Sequence, residues 1–340
     1  MKQIVQDLSK LCCTPGAAGM QPIRDLAVEL LGQYATDVTV DRMGNVIGYF
    51  RSSNPNAPTI MLEAHMDEIG FLVTHIDDDG FVYVNAAGGI DGRVLTAQEV
   101  IVHGNADYRG VFCSTPPHLA NKDGELPKLS DRGIDVGMTT DEAKKCIPLG
   151  SRVTFAPHFR QMSDHLVCSK ALDNRAGMAA ILHCLRQLDK DIPVNVAVAF
   201  CVQEEIGCRG SDPAARLIQP DAAIITDVSF AVTHDADPHK CGKMGDGVML
   251  GISPILNTAM SDTLLELAKE NSIPYQYEVM GGGTGTDADH ISGCLLGIPS
   301  ALLSIPQRYM HTPVEMIDVR DVAAVGNLMA AYIRKGGLNK

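Results

Sequence analysis

The chain has 340 residues, of which 45% are hydrophobic and 20% are charged, and its formal net charge is −13. This composition excludes a disordered chain, and no stretch approaches the ~20 consecutive apolar residues that a membrane span requires. The acidic balance, without any cluster of Lys and Arg, argues against a nucleic-acid partner.

The first 68 residues predict the beginning of an α/β domain. Apolar residues at three- and four-residue intervals indicate two helices within residues 1–35, separated by a turn at 14–16. Two β-like runs around residues 43–44 predict a hairpin, and the apolar run 58–65 predicts a buried strand.

The stretch 69–164 has a different pattern. Short β-like runs are separated by clusters of Gly, Asp and Pro, which is typical of a small all-β barrel. After residue 166, helix-like runs alternate with short apolar runs, which indicates βαβ units around a largely parallel sheet. The expected helices are 174–188, 261–271 and 318–334, and the expected strands are 194–201, 222–227, 248–252 and 299–304.

We therefore predict an α/β fold with a mixed, largely parallel sheet that is flanked by helices and interrupted by a small β-barrel. The α/β pattern begins before the β-rich stretch and resumes after it, so the stretch is an insertion and not a second domain in series. Residues 1–68 and 165–340 are expected to form the α/β domain, and residues 69–164 the inserted barrel.

The cysteines and the N-terminal residues bear on the cellular compartment. Ten cysteines are scattered without a C-x-x-C pair, and several lie in apolar runs, as small core residues do. The residues after Met1 lack the apolar core of ~7–15 residues that an export signal needs. These features predict a reduced, cytoplasmic protein.

Ligand-type side chains lie at the carboxyl ends of five apolar runs. In an open α/β sheet, these ends converge on the crevice where ligands bind. Carboxylates and imidazoles suit Zn²⁺, Co²⁺ or Mn²⁺. The number of candidate ligands exceeds what one catalytic zinc takes from a protein, which favours two cations ~3.5–4 Å apart that share a carboxylate. The residues are His65, Asp67, Asp173, Glu204, Glu205, Asp227 and His311.

Each of these residues, taken alone, has a simpler explanation. A histidine at a strand end is more often structural, and an acidic residue before a helix, such as Asp173, is most often an N-cap. Adjacent glutamates are usually a solvated pair, but after a hydrophobic strand their repulsion and desolvation are costly. A cation beside Glu204 or Glu205 removes that cost for one of them, and the other can then have a raised pKa and act as a base.

Five short segments carry a resemblance to a known family. They are AHMDEIG (64–70), ALDNRAG (171–177), QEEIG (203–207), ITDVS (225–229) and RYMHTPVE (308–315). In this order they resemble the dinuclear-metal aminopeptidases, which include the glutamyl, deblocking and tetrahedral (TET) aminopeptidases. The resemblance covers nearly the whole chain and implies a zinc-exopeptidase-like α/β domain, with a small β-barrel inserted after the first metal-binding histidine.

The resemblance implies a pair of divalent cations, Zn²⁺ or Co²⁺, and a ligand set for each. Asp173 bridges the two cations. His65 and Asp227 complete one site, and Glu205 and His311 complete the other. The peptide bond after the bridging aspartate is often cis in related enzymes, so the bond between residues 173 and 174 is expected to be cis.

The resemblance also implies a mechanism and partners. Glu204 is the general base for a water activated by the metals, and Asp67 holds the imidazole of His65 from behind. The substrates are peptides, from which the N-terminal residue is removed. Family members often form dimers through the inserted domain, and these dimers build a hollow tetrahedral dodecamer, so a homo-oligomer is expected.

Three other functions fit parts of this pattern. A metal-dependent amidase or deacylase acting on N-acyl amino acids keeps the metals and changes the substrate. A polysaccharide hydrolase needs two carboxylates ~5–9.5 Å apart but has no use for two histidines. A binding or scaffold protein could keep the fold and lose catalysis, but the retention of Glu204 and of all the ligand types argues against this.

The remaining motifs receive simpler interpretations. The glycine-rich stretch 281–287 lacks the features of a nucleotide site and predicts a loop that lines the substrate cleft. The runs 234–239 and 287–290 are interpreted as solvated loops. An acidic substrate would require a basic residue near the cleft, and the candidates for that residue are Arg308, Lys240 and Lys243.

Overall fold

The structure, a computed structural model, describes residues 1–116, 118, 128–189 and 191–337. Helices alternate with strands at both ends of the chain, and a β-rich stretch separates them. The helices are α1 (Lys2–Cys13), α2 (Gln21–Leu31), α3 (Thr140–Cys146), α4 (Leu172–Leu185), α5 (Ser211–Ile218), α6 (Thr258–Glu270), α7 (Ala288–Ile291) and α8 (Val319–Lys335).

Seventeen strands occur within the described ranges, and they belong to one large sheet and one barrel. The strands before α3 are β1 (Asp37–Val40), β2 (Val46–Phe50), β3 (Thr59–His65), β4 (Gly70–Ile76), β5 (Val82–Ala87), β6 (Glu99–His103), β7 (Asp107–Phe112) and β8 (Ile134–Asp135). The strands after α3 are β9 (Arg152–Phe155), β10 (Arg160–Gln161), β11 (Leu166–Ser169), β12 (Asn195–Cys201), β13 (Ala222–Phe230), β14 (Val248–Ile252), β15 (Tyr275–Val279), β16 (Ser300–Arg308) and β17 (Glu315–Asp318).

The large sheet is mixed, with a parallel centre. Strands β12, β3, β13 and β16 lie side by side in that order and run parallel. The β1–β2 hairpin pairs antiparallel with β12 on one side, and β17 pairs antiparallel with β16 on the other. The central strands are almost continuously apolar because helices cover both of their faces.

Two hydrophobic cores lie on opposite faces of this sheet. The larger core packs α1, α2, α4, α6 and α8 against one face, and a smaller core packs α5 and α7 against the other. The long helix α8 begins where the side chain of Asp318 accepts a hydrogen bond from the backbone N–H of Arg320. It ends at Gly336, whose φ of 95° suits a residue without a Cβ.

The β-rich stretch between β3 and β10 contains a closed barrel with the strand order β4-β5-β8-β7-β6-β9. Phe71 fills its interior and packs edge-on against Phe112 and Phe155, with ring centroids 5.2 Å and 5.5 Å away. The mixed sheet with flanking helices and this barrel confirm the predicted fold class. The domain bounds proposed from the sequence remain a prediction, and residues 117 and 119–127 of the expected insertion lie outside the described residues.

The predicted elements recur with shifted ends. The helix expected from residue 174 begins at Leu172, and the helix expected from residue 261 begins at Thr258, where Asn257 accepts a hydrogen bond from the N–H of Met260. Across the described residues, every helix falls short of the length and apolarity that a membrane crossing requires.

Candidate active site

The carboxyl ends of three neighbouring parallel strands meet at one edge of the sheet. His65 ends β3, Glu204 and Glu205 follow β12, and Asp227 lies in β13. Asp173 enters from the start of α4, and His311 follows β16. These six side chains line one cleft of about 490 Å³. The cleft therefore brings together six of the seven residues that the sequence pointed to.

Asp173 lies between the two histidines. One carboxylate oxygen is 3.1 Å from Nε2 of His65, and the other is 3.3 Å from Nε2 of His311. Asp227 is 3.7 Å from Nε2 of His65, and Glu205 is 3.3 Å from Nε2 of His311. Two groups thus form around Asp173, each with one imidazole and one further carboxylate. Since both imidazoles contact the same carboxylate, they are close enough to serve one dinuclear site.

Glu204 occupies a more open position than its neighbour. Its side chain is 14% exposed, whereas that of Glu205 is 3% exposed. A carboxylate oxygen of Glu204 is 3.8 Å from Nε2 of His65. The thiol of Cys208 lies 3.4 Å from the other oxygen, and burial raises the pKa of that thiol, which therefore stays neutral. Glu204 is more exposed than Asp173, Glu205 and Asp227, so its carboxylate is the most accessible of the four to a reacting water in the cleft.

Asp67 is buried behind the cleft and contacts His65 on its far side. Nδ1 of His65 is 3.2 Å from the backbone carbonyl of Asp67 and 3.6 Å from its carboxylate. The carboxylate also accepts hydrogen bonds from the backbone N–H groups of Glu204, at 3.1 Å, and of Glu205, at 3.4 Å. Asp67 therefore orients the loop of the two glutamates as well as the imidazole.

Glu315 is a buried residue of the site that sequence reasoning gave no role. One of its oxygens accepts a hydrogen bond from the N–H of Asp173 at 3.1 Å, and the other accepts from the N–H of His311 at 2.9 Å. It thus links the backbones of two candidate ligands from distant parts of the chain. The peptide bond between Asp173 and Asn174 is cis, as the resemblance implied. The signal for Glu315 was its place in the segment RYMHTPVE.

The pKa values of the carboxyl groups indicate a site that is short of positive charge. Burial raises the pKa of Glu205 and of Asp227 well above the usual range, and it also raises that of Glu204. Burial works in the same direction on Asp173, but hydrogen bonds with His311 and His65 hold its pKa below the usual value. Most of these groups are therefore costly to ionise without a cation.

The donor set fits divalent metal ions. Six carboxylates and three imidazoles line the cleft, and no Lys or Arg belongs to the lining that the structure describes. His65, Asp173 and Glu205 each offer one donor atom within 4.8 Å of the others. Nitrogen and oxygen donors of this kind suit Zn²⁺ and Co²⁺. Cations would supply the charge that the surrounding side chains do not.

A second buried group lies beside the site. Glu63 of β3, Cys201 of β12 and Asp287 before α7 place their polar atoms within 4.8 Å of one another. Burial raises the pKa of both carboxyl groups. The charge of Asp287 raises the pKa of Glu63 further, whereas hydrogen bonds with Ser211 and Glu63 oppose the rise at Asp287.

The interpretation of 287–290 as a solvated loop is wrong. Asp287 is 1% exposed, and Asp289 and His290 line the cleft. The physical reason is the short helix α7, which packs against β16 and turns this segment inward. Thr284 to Thr286 also line the cleft, where the sequence placed the glycine-rich loop. The basic candidates proposed to meet an acidic substrate do not line it: Arg308, Lys240 and Lys243.

A buried ion pair lies close in sequence to two residues of the site, since Glu68 follows Asp67 and Lys170 precedes Asp173 by three residues. Nζ of Lys170 is 2.6 Å from Glu68, both side chains are 2% exposed, and Glu68 also accepts a hydrogen bond from the N–H of Gly16. We expect Lys170→Met to lower the free energy of unfolding by about 3–5 kcal/mol, because Glu68 would remain buried without its main partner. Urea denaturation followed by circular dichroism measures this loss.

The matched control is an exposed pair of the same length. Lys10 and Glu29 are also 2.6 Å apart, but both side chains are at least half exposed. We expect Lys10→Met to cost less than about 1 kcal/mol. Equal losses in the two variants would contradict a special contribution from the buried pair.

Comparisons with known proteins agree on one family. The model described as M42 glutamyl aminopeptidase matches residues 44–328. The lysyl aminopeptidase of Pyrococcus furiosus is 36% identical to this chain in an alignment of 336 residues that covers 96% of this chain and 96% of that protein.

Solved structures of aminopeptidases are also similar to this chain over nearly their whole length. The aminopeptidase APDkam598 from Desulfurococcus kamchatkensis superimposes with a TM-score of 0.92 and 34% identity, over 98% of this chain and 95% of that one. The Pyrococcus horikoshii TET1 peptidase, described as assembling into a tetrahedron or a large octahedral shell, superimposes with a TM-score of 0.85 and 30% identity. That match covers 97% of this chain and 99% of the TET1 chain.

Proposed function

The chain belongs to the M42 glutamyl aminopeptidase family and is thus a peptidase, and we propose that it removes N-terminal residues from peptides with the help of two divalent cations. The observation that carries this proposal is the position of Asp173, whose two oxygens each face one histidine. A carboxylate in that position is suited to bridge two cations.

We assign a ligand set to each cation from these contacts. His65 and Asp227 would hold one cation, Glu205 and His311 would hold the other, and Asp173 would bind both. Zn²⁺ and Co²⁺ are the proposed metals, because both accept imidazole and carboxylate ligands. The imidazole of His65 contacts the backbone carbonyl of Asp67, and metal-binding histidines are usually oriented by such a neighbour.

The proposed chemistry is a hydrolysis with one general base. Divalent cations, when bound here, lower the pKa of a water and polarise the carbonyl of the scissile peptide bond. Glu204 accepts a proton from the attacking water and returns it to the leaving amine. Its raised pKa and its opening to the cleft suit both transfers. The buried carboxylate of Asp67 holds the backbone of Glu204 in place by accepting a hydrogen bond from the N–H of Glu204.

We also propose that the protein is a homo-oligomer assembled through the barrel of β4 to β9. The support is the similarity to a TET1 peptidase that is described as a tetrahedron or an octahedral shell. The proposal concerns assembly only, since the candidate ligands all come from one chain.

The test is release of N-terminal residues from peptides and aminoacyl p-nitroanilides, with Zn²⁺ or Co²⁺ supplied. We expect turnover with a free α-amine, and loss of nearly all of it after 1,10-phenanthroline, because the bare site would not activate water at neutral pH. Adding back the metal should restore it.

The N-acetylated form of the same substrate is the control. An aminopeptidase needs the free amine, whereas a deacylase of N-acyl amino acids prefers the blocked compound. Faster cleavage of the acetylated substrate, or turnover that survives the chelator, would contradict the proposal.

A further inference from the structure

Glu278 is an acidic side chain of the cleft that has no role in the proposed ligand set or as the general base. Glu278 lies on β15, at the open side of the sheet beyond β14, and it lines the same cleft as His65 and Asp227. The hydroxyl of Ser304 donates a hydrogen bond to one of its oxygens at 2.6 Å, and the hydroxyl of Ser229 donates to the other. Both carboxylate oxygens are therefore held in a fixed direction.

These hydrogen bonds connect Glu278 to the candidate metal ligands. Ser304 pairs in register with Asp227 on the neighbouring parallel strand, about 4.8 Å away in the sheet. Ser229 follows Asp227 by two residues on β13, so both side chains point to the same face. Glu278 is thus hydrogen-bonded to two serines that are close to the candidate ligand Asp227 in the sheet.

Within the part of the chain that the structure describes, the contacts of Glu278 are with hydroxyl groups and the lining of the cleft contains neither Lys nor Arg. Two hydroxyl donors leave free lone pairs on a carboxylate, which can accept about four hydrogen bonds. Burial raises the pKa of Glu278, while the hydrogen bonds from Ser229 and Ser304 oppose that rise. The carboxylate of Glu278 can therefore accept a further hydrogen bond from a bound substrate.

The cleft that Glu278 lines also has apolar side chains. Val228, Phe230, Leu302 and Met310 contribute to its lining. A lysine side chain matches such a surface, because its methylene stem packs on apolar groups while its charged end reaches a polar one. Glu278 would supply the acceptor at the far end of that stem.

We propose that Glu278 is the specificity-determining residue of the cleft and selects substrates whose N-terminal residue is lysine or arginine. The proposal rests on the aminopeptidase function proposed above. An acidic N-terminal side chain would meet a like charge at Glu278. An aliphatic one would cover the carboxylate without giving it a positive partner, and burying a charge without such a partner is costly.

Turnover is the first test. The kcat/KM of the Zn²⁺- or Co²⁺-loaded protein is measured with lysyl, arginyl, leucyl and glutamyl p-nitroanilides. We expect the lysyl and arginyl substrates to be preferred. In Glu278→Gln we expect the lysyl-to-leucyl ratio to fall about 10- to 100-fold, the effect of losing one hydrogen bond to a charged group. Glu270→Gln, the same change at the exposed end of α6, is the matched control and should leave the ratio unaltered.

Binding is the second test, and it needs no turnover. L-Lysine and L-norleucine share the same carbon stem, but only lysine carries the terminal amine. We expect L-lysine to raise the melting temperature of the wild-type protein more than L-norleucine does, and Glu278→Gln to remove this difference.

The two tests show whether the proposed aminopeptidase function or the proposed role of Glu278 is wrong. A protein that hydrolyses none of the substrates but still distinguishes lysine from norleucine through Glu278 would contradict the proposed function and support the pocket. A wild-type preference for leucyl or glutamyl substrates would overturn the role of Glu278. Equal losses for lysyl and leucyl substrates in Glu278→Gln, with equal binding of the two amino acids, would also overturn it.

Discussion

Glu204→Gln is expected to lower kcat by about 10²–10⁴-fold while the protein stays folded, because the amide cannot accept a proton from the attacking water. Gln has nearly the same shape as Glu, so the hydrogen bond from its N–H to Asp67 and the contact with Cys208 are kept. The measurement is kcat and KM with the preferred aminoacyl p-nitroanilide, together with the metal content of the purified variant.

The adjacent glutamate supplies the control. Glu205 is almost fully buried and contacts His311, so Glu205→Gln should reduce metal content as well as turnover. Glu204→Gln should bind metal as the wild-type protein does. Near-normal turnover of Glu204→Gln would show that the base is another group, and equal loss of metal in both variants would contradict their different roles.

Asp173→Asn is expected to weaken the binding of both cations, since one side chain is proposed to bind both. Partners that merely orient a ligand contribute about 10–100-fold to metal affinity, and a bridging ligand should exceed that range. The neutral amide also withdraws the negative charge that faces His65 and His311. Isothermal titration of the metal-free protein with Zn²⁺ or Co²⁺ gives the affinities, and circular dichroism checks the fold.

Asp67→Asn is the comparison for this variant, because Asp67 touches His65 without facing the cleft. We expect it to weaken binding less than Asp173→Asn. Two cations bound by Asp173→Asn with wild-type affinity would rule out the bridge.

Local patterns in the sequence predicted most of the fold. Helices such as α8 and strands such as β3 and β12 are long and strongly patterned, and their character does not depend on distant partners. The candidate ligands could be predicted for a related reason. Polar residues that directly follow an apolar strand, such as His65 and Asp227, lie at an edge of the sheet whatever the strand order.

The residues that sequence reasoning missed depend on contacts between distant segments. Glu278 lies in the run YQYEV, and nothing near it in the chain indicates that Ser229 and Ser304 hold its carboxylate. Glu63 is hidden inside an apolar strand, and its partner Asp287 comes from another part of the chain. Such pairings require the strand order, which periodicity does not contain.

One missed element had a local signal. The helix α3 begins with a capping box, in which Thr139 and Glu142 each accept a hydrogen bond from the other's backbone N–H. The spacing of these two residues is readable in the sequence. It was obscured because α3 is short and lies within a β-rich stretch.

The position of β3 between β12 and β13 has a consequence for synthesis on the ribosome. The nascent chain contains β3 before the barrel, whereas both neighbours of β3 are translated after it. The barrel strands are near one another in sequence, and the first and last of them pair directly, with Phe71 opposite Val153. Once the barrel has closed, its ends are held together, and the loop that β3 must close to reach β12 becomes effectively much shorter. The insertion thereby lowers the entropic cost of assembling the sheet whose edge carries the candidate active site.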